Sequence, residues 1–135
     1  MIQINDLRNG NWVLFKKNRM DEGEFKKVFA INPDGVSLEN GKGNPCDKHL
    51  VYPIRLTELI ISKSKFEEIG RMIYTIDLGS IKITLEYINL RGWCLTVNYP
   101  LLNTSNTPIK CGIIDLHRLQ NLYFELTDKE LDIDL

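Results

Sequence analysis

No run of apolar residues in this chain approaches the ~20 that a membrane-spanning helix requires. The opening stretch Met-Ile-Gln-Ile-Asn-Asp has neither the basic nor the apolar region of a secretory signal. The expected setting is cytoplasmic, with no membrane partner. Cysteine is sparse, and Cys46, Cys94 and Cys111 are odd in number and widely spaced, which argues for reduced thiols rather than a disulfide framework. An excess of either charge is missing too. The 17 Lys and Arg against 18 Asp and Glu leave a net charge of −1, so no molecule-wide field exists to hold a polyanion. Any nucleic-acid role must rest on a local patch. A Gly-rich phosphate loop ending in Lys-Ser/Thr and a Gly-x-Ser-x-Gly elbow are both absent from the sequence.

What remains is the composition of an ordinary folded domain. With 135 residues, 43% hydrophobic and 26% charged, the chain can bury roughly two thirds of its unfolded surface. The first half reads as short strands between tight turns. The cluster Asp6 to Asn11, where Gly10 or Asn11 can take positive φ, leads into the strand Trp12-Val13-Leu14-Phe15. A second apolar run holds Phe25, Val28, Phe29 and Ile31, with Lys26-Lys27 breaking the alternation as a bulge would. Asn32-Pro33-Asp34-Gly35 then turns the chain into Val36-Ser37-Leu38-Glu39. After the breaker cluster Asn40 to Pro45, His49 to Ile54 adds a further strand that Pro53 confines to an edge. Four or five such strands within residues 1–55 predict a small barrel-like antiparallel unit, because closure removes exposed edges.

Residues 56–135 change character. Thr57 is placed to cap a linking helix from about Glu58 to Ile69, stopped by Gly70. Ile73 to Ile76, Ile81 to Tyr87 and Trp93 to Tyr99 then predict a three-stranded antiparallel meander, the last two alternating apolar and polar residues. Leu101 to Gly112 reads as a loop. Asp115 stands at an N-cap position before a helix whose Leu116, Leu119, Leu122, Tyr123 and Leu126 follow one helical face. That helix is expected to cover the meander. The fold class predicted is α+β, with units 1–55 and 56–135 that can equally form one compact domain.

The run His117-Arg118-Leu119-Gln120-Asn121-Leu122-Tyr123-Phe124-Glu125-Leu126-Thr127, with Glu130-Leu131, resembles the C-terminal motif of a family of small uncharacterised proteins of gut Bacteroidota and their prophages. The opening Asp6-Leu7-Arg8-x-Gly10-Asn11-x-Val13 and the central Pro53-Ile54-x-Leu56-Thr57-Glu58 are similar to that family's beginning and middle. Asp128 departs from the pattern, standing where relatives carry Gly. The resemblance implies a phage or mobile-element setting and brings no activity, cofactor or catalytic residue with it.

The residues themselves offer few chemical sites. Cys46-x-x-His49 has the spacing of half a zinc site, with Cys111 and His117 as the other candidates, but the second pair has the wrong spacing and nothing forces the pairs together. A Cys/His nucleophilic pair needs a base in hydrogen-bond reach and an orienting third group, which spacing does not supply. No metal, cofactor or catalytic residue is therefore assigned, and the chain is expected not to be an enzyme. The leading reading is an interaction module with an unknown protein partner or self-association through the terminal helix, where Phe124 beside Tyr123 widens the apolar arc beyond one face. The alternative is weak nucleic-acid binding by Lys16, Lys17, Arg19, Lys26 and Lys27, with Trp12, Phe15 and Phe25 nearby.

Overall fold

The computed structural model describes residues 2–39, 45–100 and 107–135. Most of the breaker cluster at 40–45 and the first part of the loop expected from 101 lie outside them. The fold is α+β with two antiparallel sheets and a C-terminal helix. The chain divides into two compact units, one built from residues 1–55 and 115–131, the other from 56–114 and 132–135.

The first unit holds β1 (Trp12–Phe15), β2 (Glu24–Asn32), β3 (Gly35–Leu38) and β4 (Val51–Tyr52), in the sheet order β3-β2-β1-β4. The expected closed barrel does not form, since β4 is two residues long and no ladder joins β3 to β4. The 3₁₀ turn Lys48–Leu50 uses up the chain before it, and Pro53 offers no donor after it. The sheet nonetheless curls. Cys46 bridges to Val36 on β3, while Val51 pairs with Phe15 on β1. In a flat sheet those points would lie about 19 Å apart, whereas the chain between them, with its 3₁₀ turn, reaches only about 15 Å. Inside the curl, Val13, Val28, Val36, Leu38 and Val51 form the core with Ile2 and Leu7.

Helix α2 (Leu116–Thr127) belongs to this first unit and packs on β1, which corrects the expectation that it covers the second sheet. Its buried stripe is Leu116, His117, Leu119, Gln120 and Tyr123, while Leu122 and Leu126 are only half-buried. The two polar members explain the choice of sheet. The Gln120 amide accepts from the Trp12 N–H at 2.9 Å and donates to the Gly10 carbonyl at 3.3 Å. Asn11, fully buried, accepts from the Arg8 N–H at 2.7 Å and donates to Asn121 Oδ1 at 2.9 Å, and Asn121 donates to the Asp6 carbonyl at 2.8 Å. The turn before β1 leaves these backbone groups without ladder partners, and the helix amides satisfy them. Gly10, at φ +90°, makes the turn possible. Arg8 also pairs through both terminal nitrogens with Glu130. At the helix end Asp128 takes the left-handed conformation, φ +57°, a position that glycine commonly fills and Asp tolerates.

The second unit holds α1 (Glu58–Ser62), β5 (Glu67–Gly70), β6 (Ile73–Asp77), β7 (Lys82–Ile88), β8 (Gly92–Asn98) and β9 (Thr107–Ile113), the strands lying side by side in chain order. The Thr57 hydroxyl caps α1 through the Ile60 N–H, as its sequence suggests. The helix is a single turn, however, and does not run to Ile69. The Ser62 and Ser64 hydroxyls donate to the Leu59 and Ile61 carbonyls, and Lys63 and Lys65 pair by backbone with Asp134 and Asp132. These bonds draw the chain into extended structure. Residues 107–113, expected as loop, form the edge strand β9, where Pro108 is tolerated because an edge leaves half the ladder free.

Candidate functional site

Strand register fixes which side chains share the outer face of the first sheet. Val13 and Phe15 point into the core, so Trp12, Leu14 and Lys16 point out. Leu14 pairs with Phe25 on one side and Tyr52 on the other, and Trp12 pairs with Lys27. The outer face therefore carries a row Phe25-Leu14-Tyr52 with a second row Lys27-Trp12 beside it. Phe25 is 44% exposed, and Phe29, at the bulge after Val28, is 71% exposed. Lys27 Nζ sits 5.1 Å from the Trp12 ring centroid and Lys16 Nζ 5.6 Å from that of Tyr52. Ammonium groups resting on aromatic faces keep those faces clear of apolar neighbours while remaining free to swing away.

The cations of this face stand outside salt bridges, although the Asp21 carboxylate is near enough to Lys17 and Lys16 to be stabilised by both. Among the described residues, no ion pair engages Lys16, Lys17, Arg19 or Lys27, whereas Arg8, Lys26, Lys65 and Arg118 are all paired. The nearby acids are occupied by the backbone. Asp21 accepts from the Lys17 and Gly23 N–H groups, which hold its carboxyl below the usual value, and Asp47 accepts from the His49 N–H at 2.9 Å. A cavity of about 550 Å³ opens at the end of the row, lined by Asn18, Arg19, His49, Leu50 and Tyr52.

Of the five basic residues singled out in the sequence, the structure places Lys16 and Lys27 with the aromatics, and Lys17 and Arg19 on the adjoining loop. Lys26 belongs elsewhere, because its partner Val13 puts it on the inner side, where it lies over Phe15 at 4.9 Å and pairs with Glu24 at 3.2 Å. Phe15 likewise faces inward. Tyr123 is 4% exposed and so presents no ring to a partner, its buried hydroxyl raised in pKa by desolvation. Phe124 is half-buried beneath the Arg8 guanidinium, 4.0 Å from the ring centroid. Its extra apolar width on the helix is spent on that stacking.

Among the described residues no three His, Cys, Asp or Glu side chains are grouped to hold a metal ion. Cys46 donates to the Val36 carbonyl at 3.1 Å and burial raises its pKa. Burial, together with contact to Cys111, pushes Cys94 up to about 11. His117 is buried in α2 with Nδ1 unpartnered, and desolvation lowers its pKa. Tyr52, Phe29 and His49 are members of the outer face that sequence reasoning did not assign. For Tyr52 the local signal was its alternation with Val51. Comparison of the chain with family models, curated proteins and solved structures finds no match in any of the three.

Proposed function

We propose that the protein is a non-catalytic binding protein that holds single-stranded nucleic acid across the outer face of β1, β2 and β4, in the phage or mobile-element setting that its motifs imply. The observation carrying this reading is the coincidence on one face of Trp12, Phe25 and Tyr52 with Lys16 and Lys27, cations that enter no salt bridge among the described residues. Aromatic rings offer every base a stacking surface worth ~1–3 kcal/mol, and unpaired lysines meet the phosphates between them. The unit's own charge sums to zero, so binding is local, modest in affinity and sensitive to salt. Self-association or capture of a protein partner through Phe124 and Tyr123 has no such support, since one ring is buried and the other is stacked under Arg8.

The test is fluorescence anisotropy of a labelled oligothymidylate as salt is varied. Micromolar binding is expected at low salt, with log K falling against log[salt] by about 0.7 per phosphate neutralised. Changing Lys16 and Lys27 together to Ala should flatten that slope by about 1.4, while Trp12→Ala should weaken binding without flattening it. A slope that the lysine pair does not alter would remove the reading, as would binding equally strong without Trp12.

A further inference from the structure

The cavity at the Tyr52 end of this face has a chemistry of its own. Its lining residues are Asn18, Arg19, His49, Leu50 and Tyr52, with no carboxylate among them. Asn18 Oδ1 is already taken by the Met20 N–H at 2.9 Å, so the amide offers only its donor nitrogen. Asp21 and Asp47, the nearest acids in sequence, are turned to backbone N–H groups of their own loops. The lining residues bring an amide (Asn18), a guanidinium (Arg19), an imidazole (His49) and a phenol (Tyr52), with Lys16 Nζ above the Tyr52 ring. Such a set matches an acceptor with several oxygens and negative charge.

Its place in the sheet narrows the ligand. β4 is the edge strand, and Tyr52 is the last ring of the Phe25-Leu14-Tyr52 row, so a strand crossing the face leaves it at the cavity. Internal phosphodiesters carry one charge and are met by lysines on the open face. A terminal phosphomonoester carries close to two charges near neutral pH and three acceptor oxygens, which matches a guanidinium and neighbouring donors gathered in one recess. We propose that this cavity seats the terminal phosphate of the bound strand, so that the protein prefers phosphorylated ends. The proposal rests on the nucleic-acid reading of the face and adds to it the class of end that is recognised.

The experiment compares oligothymidylates of about ten nucleotides carrying a 5′-phosphate, a 3′-phosphate or hydroxyls at both ends, titrated by anisotropy against the full chain at one ionic strength. One phosphorylated form should bind about tenfold more tightly than the hydroxyl form. The double variant Arg19→Ala with His49→Gln, both at exposed positions, should abolish that gain, so that the three probes bind it with equal affinity. Trp12→Ala should weaken all three probes alike. Equal affinity for the three probes overturns the terminal-phosphate seat while the face reading stands, and so does a gain that survives the double variant. If none of the probes binds, the face reading fails. The cavity is then judged by inorganic phosphate alone, where failure of phosphate to shift the His49 imidazole NMR resonances beyond chloride at matched ionic strength overturns it as well.

Discussion

Replacing Gln120 by Ala should be among the most damaging single changes in the first unit. Its side chain is 1% exposed and serves two backbone groups, the Trp12 N–H and the Gly10 carbonyl. Truncation orphans both in a site that water does not reach, at ~1–3 kcal/mol each, and leaves a void besides. About 3 to 5 kcal/mol is expected against a total stability of ~5–15 kcal/mol, which at ordinary urea dependence moves the midpoint by about 2 M. Trp12 lies in the first unit and Trp93 in the second, so Trp12 fluorescence in a Trp93→Phe background follows the first unit. Gln120→Glu sharpens the test. A carboxylate can still accept from Trp12 but confronts the Gly10 carbonyl with an oxygen, whereas the protonated acid can donate to it. Burial raises the folded pKa of this Glu above its unfolded value of ~4.3. Its damage should then be smallest below about pH 4.3 and grow as pH rises through the folded pKa. A cost below about 1 kcal/mol for Gln120→Ala, or a Glu variant indifferent to pH, would refute the claim that these amides hold the turn to the helix.

Three further outcomes follow from burial and close approach. Leu119→Ala should cost ~2–5 kcal/mol and Leu122→Ala clearly less, because Leu119 is 1% exposed and Leu122 half-buried; equal midpoints in thermal unfolding would contradict the observed stripe. Burial lowers the pKa of His117 in the folded chain, with Arg118 acting the same way and Asp115 and Asp6 opposing. The unfolded chain takes up that proton first, so stability should fall as pH drops below about 6.5, and His117→Gln should lose this dependence between two urea titrations on either side of that pH. Gly35→Ala should fold poorly or not at all, since its Cβ would lie 2.3 Å from the Cys46 carbonyl oxygen at φ +156°; soluble, cooperative unfolding at the wild-type midpoint would show that the β3 edge can open freely.

Alternation made β1, β7 and β8 legible, because a strand with one buried face announces it every second residue. The Pro33-Asp34 turn was equally plain. Helix α2 was legible as a helix but not in its destination, since a stripe of Leu and Tyr is as fit for one sheet as for another. The deciding residues were Gln120 and Asn121, polar side chains that donate to backbone carbonyls more than a hundred positions away, a relation that no local pattern encodes. The same limit applies to Lys26 and Lys27. Adjacent in sequence, they face opposite sides of β2, and only the pairing of Val13 with Lys26 tells which is inward. Short α1 and edge strand β9 were misread because serine back-bonding and edge pairing overrode helix spacing and a proline.

The division of the chain has a consequence for how it is made. The first unit needs residues 1–55 and 115–131 together, so its sheet emerges from the ribosome without the helix that satisfies Gly10 and Trp12. At ordinary elongation rates the interval before residue 115 is about 3 to 12 s. Throughout it the curled sheet carries unpaired backbone groups at the very turn that starts β1, and the second unit is all but complete while the first still waits. Vectorial synthesis thus favours assembly from the middle outward, and residues 115–135, translated after both sheets, complete each unit in turn.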